Sequence, residues 1–151
     1  MFKKILVCLD GSHPAEQIVP YAAEAAQRFG SKLILLEVTK PPSVVVESMT
    51  GYYHPTSVED ILRDEKQALD YLEKIAQRLS KKGLEVDYVT VPGSPGETIV
   101  SYAEKHQIGL IALSTHGHSG LGRLVFGSVA EHVLRHSNLP ILVRKPHEVK
   151  G

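Results

Sequence analysis

Two short stretches of this 151-residue chain concentrate residue types able to do chemistry, and the richer one is Ser114-Thr115-His116-Gly117-His118-Ser119-Gly120-Leu121-Gly122. Its glycines let the main chain approach a ligand closely and take up positive φ, and consecutive amides in such a turn form a concave nest for an anion. The stretch runs on through Arg123 to Gly127-Ser128-Val129, where apolar spacing begins a helix. A helix N-terminus adds unbonded amides and the positive end of a dipole, so a phosphate is held there without a lysine. The Ser128 hydroxyl is either a further donor to that anion or a cap for its own helix. His116 and His118 are placed to face phosphate oxygens.

The second stretch is Asp10-Gly11-Ser12, which follows an apolar run. A carboxylate there either caps the next helix, a role open to Ser12 as well, or accepts from ligand hydroxyls such as those of a ribose. Common phosphate signatures are absent. There is no Gly-x-x-x-x-Gly-Lys-Ser/Thr, and the order Gly117, Gly120, Gly122 reverses the dinucleotide spacing, which argues against a P-loop ATPase or a nicotinamide dehydrogenase.

Eight histidines raise a metal reading, above all His116 with His118 and His132 with His136. The second pair is one helical turn apart but encloses Val133, Leu134 and Arg135, without the glutamate of a zinc protease helix. The expectation is surface histidines and no metal.

The elements that position these stretches follow from hydrophobic spacing. Apolar runs at Ile5 to Leu9, Leu33 to Leu36, Val86 to Val91, Leu110 to Leu113 and Ile141 to Val143 alternate with segments of helical period. That alternation predicts an α/β fold, an open five-stranded parallel sheet with helices on both faces. The third run mixes in Asp87 and Thr90 and reads as nearer an edge. Apolar residues from Ala15 to Phe29 predict one helix stopped by Gly30, and those from Val58 to Leu79 a second stopped by Gly83. Ser94 and Glu97 with Pro95 between them predict a capping box at the start of a third. Lys40 to Ser57, with three prolines, Gly51, Tyr52, Tyr53 and His54, reads as a long surface loop of the kind that forms lids or contacts. In such a sheet ligands bind beyond the carboxyl ends of the strands, which brings the two chemical stretches together.

Lysine plus arginine equals aspartate plus glutamate at 17 each, so no overall field favours nucleic acid or an anionic membrane. Any anion is held locally. Cys8 is the lone cysteine and lies in an apolar run, which implies a reducing compartment and an inert buried thiol. Asp10 ends the first apolar run short of the about 7 residues of a signal segment, and no run approaches the roughly 20 of a membrane span. The expectation is a single domain over residues 1–151 in the cytoplasm.

The residues from Ile5 to Ser12, those from Ser114 to Ser137 and the run Leu139 to Val143 together resemble the universal stress protein family over essentially the whole chain. Its ATP-binding members carry Gly-x-x-Gly, nine residues, then Gly-Ser or Gly-Thr. Gly117, Gly127 and Ser128 match, and Ser114 stands where the first glycine would be. The resemblance implies a Rossmann-like fold of the adenine nucleotide alpha hydrolase kind, binding ATP or AMP with magnesium as an accompanying cation. It also implies that backbone groups near Val38 read the adenine, that Asp10 takes the ribose, and that the loop from Gly117 to Val129 takes the phosphates. The contact set is Cys8, Leu9, Asp10, Val38, Ser114, His116, Gly117, His118, Arg123, Gly127, Ser128 and Val129. Pairing of Ile141 to Val143 between two copies is the implied homodimer contact. The serine side chain at position 114 is expected to crowd the nucleotide and weaken binding.

Three functions remain open at this level. The first is a regulatory or stress-response switch that binds nucleotide. The second is a slow ATP hydrolase using Asp10 or His116 with a divalent cation, although fast phosphoryl transfer needs more positioned cations than Arg123 supplies. The third is an interaction-only protein that has lost the nucleotide, for which Ser114 is the argument.

Overall fold

A parallel strand must return by a crossover, so short apolar strands alternating with amphipathic helices have few ways to pack. A computed structural model, which describes residues 1–41, 58–116 and 126–147, shows the one adopted. The strands are β1 (Lys4–Leu9), β2 (Lys32–Thr39), β3 (Val86–Pro92), β4 (Leu110–Ser114) and β5 (Ile141–Arg144). They form one parallel sheet in the order β3-β2-β1-β4-β5. The helices are α1 (His13–Glu16), α2 (Val19–Phe29), α3 (Val58–Ser80), α4 (Pro95–Lys105) and α5 (Ser128–His136).

Side chains alternate across a strand, which sorts the central residues between two cores. Ile5, Val7, Leu9, Leu33 and Leu35 pack with α2 and α3, while Leu6, Cys8, Ile34 and Leu36 pack with α4 and α5. Ile5, Leu6, Leu33 and Leu35 are 0% exposed, and burying each such side chain contributes roughly 1.5–3 kcal/mol before chain entropy is counted. Continuous apolar strands thus report helices on both faces. The mixed third run is indeed at an edge: β3 exposes Asp87 and Tyr88, and Lys32 on β2 pairs with Asp87 at 2.7 Å and Glu85 at 3.1 Å. No helix among the described residues is long and apolar enough to cross a membrane.

Three local expectations change. The helix expected from Ala15 to Phe29 is two helices, α1 and α2, broken at Gln17 and Ile18. Pro20 explains the break: it has no amide to give, and its ring would clash with the carbonyl four residues earlier, on Glu16. Ser94 is the N-cap of α4, but its hydroxyl accepts no cap bond, so the box with Glu97 is not formed. Pro95 already presets the first turn and has no amide requiring an acceptor. The first turns of α3 run beyond the core, leaving Val58 and Leu62 exposed. Gly30 and Gly83 do stop their helices, with φ of +63° and +83°.

Candidate functional site

The chain lays β2 and then β3 on one side of β1, then crosses back to lay β4 and β5 on the other. Neighbouring crossovers therefore leave β1 and β4 in opposite directions, and a crevice opens beyond their carboxyl ends. The structure has a cleft of about 870 Å³ there, within the usual range for small-molecule sites. Its floor is apolar, with Cys8, Leu36, Ile99 and Leu113, and its rim is polar.

On the β1 side, Asp10 Oδ1 accepts from the Ser12 amide at 2.9 Å and from the Ser12 hydroxyl at 2.5 Å. Ser12 is the cap of α1, its hydroxyl accepting from the Ala15 amide at 3.2 Å. Asp10 therefore does not cap the helix. It fastens the residue that does, and still lines the cleft. Gly11 makes the turn between them at φ +80°, a conformation side chains rarely adopt.

On the β4 side, Ser114 is buried and its hydroxyl donates to the Ala15 carbonyl at 3.3 Å. The serine expected to crowd the nucleotide is thus committed to α1, because a buried hydroxyl seeks a partner and that carbonyl is within reach. The Thr115 hydroxyl lies 2.8 Å from His116 Nδ1. When the hydroxyl donates, the ring proton sits on Nε2 and the imidazole offers a donor on its other edge. Gly127 donates its amide to the Thr115 carbonyl at 2.7 Å, joining the end of β4 to the start of α5. A Cβ at Gly127 would lie 2.6 Å from that carbonyl oxygen, so glycine is required by the close approach of two backbones. Gly127 also lines the cleft. Gly127, not Ser128, is the N-cap of α5, and it supplies no side-chain cap bond. The first intrahelical bond runs from Glu131 to the Gly127 carbonyl, so the amides of Ser128, Val129 and Ala130 have no acceptor inside the helix. All three residues line the cleft.

The third wall comes from β2 and α3. Glu37, Val38, Thr39 and Lys40 line it from the end of β2, and Asp64, Gln67, Ala68 and Tyr71 from one face of α3. Tyr71 donates to Glu16 at 3.3 Å, and Arg78 holds the same carboxylate at 2.8 Å. Burial, then the charge of Glu16 and the bond to it, then the charges of Glu37 and Asp10, push the Tyr71 phenol above its ordinary range. It stays a neutral donor. Burial alone pushes the Cys8 thiol up to about 12, which suits an inert core residue.

Of the contacts expected from sequence, Cys8, Leu9, Asp10, Val38, Ser114, His116, Gly127, Ser128 and Val129 all line this one cleft. Gly117, His118 and Arg123 lie outside the described residues, as do all but the first two residues of the stretch Lys40 to Ser57 that was expected to be a loop, with Tyr52, Tyr53 and His54. Sequence reading missed the α3 wall. Asp64, Gln67 and Tyr71 continue the stripe of Ala68, Leu72 and Ile75, and polar residues prolonging an apolar stripe were the available signal.

No three histidine, cysteine, aspartate or glutamate side chains cluster to hold a metal among the described residues. His132 and His136 stack on each other at 4.1 Å, and His136 Nδ1 is 2.9 Å from the His132 carbonyl. Magnesium accompanying a nucleotide would take its ligands mainly from phosphates and water, as that ion commonly does.

Comparison with known proteins gives a consistent picture. Residues 1–145 match the universal stress protein family. Universal stress protein YxiE of Bacillus subtilis is 31% identical over 146 residues, covering 95% of this chain and 99% of its own. The solved structure of MJ0577, a universal stress protein of Methanocaldococcus jannaschii, is 30% identical, covers 98% of this chain and 99% of its own, and superposes with a TM-score of 0.75. A universal stress protein of Archaeoglobus fulgidus, solved in complex with dAMP, shares the fold at 24% identity, 95% and 98% coverage and a TM-score of 0.65.

Proposed function

This chain belongs to the universal stress protein family, and from that premise we propose that it binds ATP or AMP in the switch-point cleft and works as a regulatory switch. The observation that carries the reading is the polarity of the cleft. A carboxylate at the end of β1, suited to accept from sugar hydroxyls, shares one cavity with three helix amides suited to donate to phosphate oxygens. The apolar floor between them suits a purine face, with the backbone near Val38 at its edge. The dAMP complex of the Archaeoglobus fulgidus relative supports an adenine nucleotide as the ligand class.

In this reading the loop containing Gly117, His118 and Arg123 completes the phosphate end, and magnesium arrives with the nucleotide. Turnover is slow or absent. The working unit is a cytoplasmic homodimer whose copies meet at β5, an edge strand with Ile141, Leu142 and Val143 half-buried. A nucleotide that binds one conformer better makes that conformer dominate, which is all a switch requires.

The test is to denature freshly purified protein and identify any released nucleotide by chromatography and mass spectrometry, then to titrate stripped protein with ATP and AMP. Stoichiometric nucleotide, or saturable uptake of either, is the expected result. A protein that is empty and takes up neither, with or without magnesium, overturns the reading. Light scattering on the same sample reads the dimer directly.

A further inference from the structure

Ser114 occupies the position of a motif glycine, and its bonding suggests a job that glycine could not do. Two hydrogen bonds meet at Ala15: the Ser114 hydroxyl donates to the Ala15 carbonyl at 3.3 Å, and the Ala15 amide donates to the Ser12 hydroxyl at 3.2 Å. The Ser12 hydroxyl in turn donates to Asp10 Oδ1 at 2.5 Å, with the Ser12 amide on the same oxygen at 2.9 Å. Ser12, Ala15 and Ser114 are 8%, 5% and 9% exposed, so water competes little for these bonds. The Ala15 carbonyl and the Ala15 amide belong to successive planar peptide groups, so the rigid first turn of α1 links the two bonds mechanically, and the last of them ends on a carboxylate. These bonds also cross the crevice, joining the end of β4 to the end of β1 through α1.

We infer that Ser114 is a positioning residue whose hydroxyl fastens β4 to the first turn of α1 and, through Ser12, holds the Asp10 carboxylate at the angle that meets the sugar of a bound nucleotide. The inference rests on the nucleotide reading for its ligand but not for its mechanical part. Crowding and positioning predict opposite outcomes when the side chain is removed. A crowding serine is improved by Ser114→Gly; a positioning serine is damaged by it.

The experiment compares Ser114→Ala, Ser114→Gly and Ser114→Thr with the unaltered protein by calorimetric titration with ATP and with 2′,3′-dideoxy-ATP, which lacks the hydroxyls Asp10 would accept. Alanine and glycine are each expected to weaken ATP about fivefold, the scale of one hydrogen bond, and threonine to restore it. Dideoxy-ATP affinity is expected to be nearly unchanged, a selectivity that general loosening of the fold would not produce. Equal loss for both ligands, or tighter ATP binding by Ser114→Gly, overturns the inference. Hydrogen exchange of the Ala15 and Glu16 amides in ligand-free protein gives a second readout, expected to be faster in Ser114→Ala, or in Ser114→Gly if alanine does not fold. If the unaltered protein takes up neither ATP nor AMP, the nucleotide reading fails, and exchange decides the fastening by itself: faster upholds it, unchanged overturns it.

Discussion

Helices α1 and α5 both start where a strand of the sheet ends, and they treat their N-terminal amides in opposite ways. At α1 the Ser12 hydroxyl takes the Ala15 amide, and Pro14 in the first turn has none to offer. At α5 the cap is Gly127, which has no side chain, and the next three amides are left without acceptors inside the helix. One terminus is closed by side-chain chemistry and the other is left open by backbone chemistry. The anion is therefore expected at α5, while α1 contributes through the carboxylate that precedes it.

The strongest way to break this contrast is at the open end. Gly127→Ala places a methyl against the Thr115 carbonyl and is expected to cost about 2–3 kcal/mol, roughly 4–12 °C in melting temperature, by the usual scale of overpacking. Thermal unfolding of the purified variant checks it, and an unchanged melting temperature would show that the two backbones can separate freely. Next is Asp10→Ala at the closed end, which removes a charged acceptor. We expect ATP affinity to fall about 10- to 100-fold by titration, on the scale of hydrogen bonds to charged groups. A loss confined to stability, with affinity intact, would place the ribose elsewhere.

Ser12→Ala sharpens the contrast further by reopening the α1 terminus. It is expected to cost about 1 kcal/mol, the typical worth of an N-cap, measured by urea unfolding. The smallest effect near neutral pH concerns Cys8, beneath Asp10. Its thiol is raised from 9.0 to about 12 in the folded protein, so the unfolded chain loses its proton first. The stability associated with this difference is whole below about pH 9 and declines as pH rises toward 12. Tyr71, also raised, adds to the decline above its ordinary value of 10.0. Melting temperatures across pH 8 to 10.5 should bend downward. The bend should be shallower in Cys8→Ala.

Much of this architecture was legible in the sequence because strand and helix signals are local. Ile5 to Leu9 is buried on both faces and reads as a continuous apolar run, and Gly30 and Gly83 mark helix ends through a conformation only glycine adopts cheaply. The break at Pro20 was legible too, through the amide it lacks, but the apolar spacing on either side concealed it. Asp10, Gly127 and Ser128, which line the cleft, stood out in the sequence because turn glycines and a carboxylate after a strand are unusual enough to notice. The α3 wall did not, because Asp64 and Gln67 look like any solvated helix face unless they are read as prolonging the apolar stripe of Ala68, Leu72 and Ile75.

By itself the sequence determined the element types and the doubly covered sheet, since each depends on residue periodicity or on the conformational reach of glycine and proline. Only the tertiary structure decided what the polar groups bond to. The Ser114 hydroxyl donates to the Ala15 carbonyl and the Gly127 amide to the Thr115 carbonyl, and neither partner follows from residue type, because each carbonyl is brought near by the fold. A hydrogen bond depends on distance and angle between groups that the fold brings together, and neither quantity is written in the order of the residues.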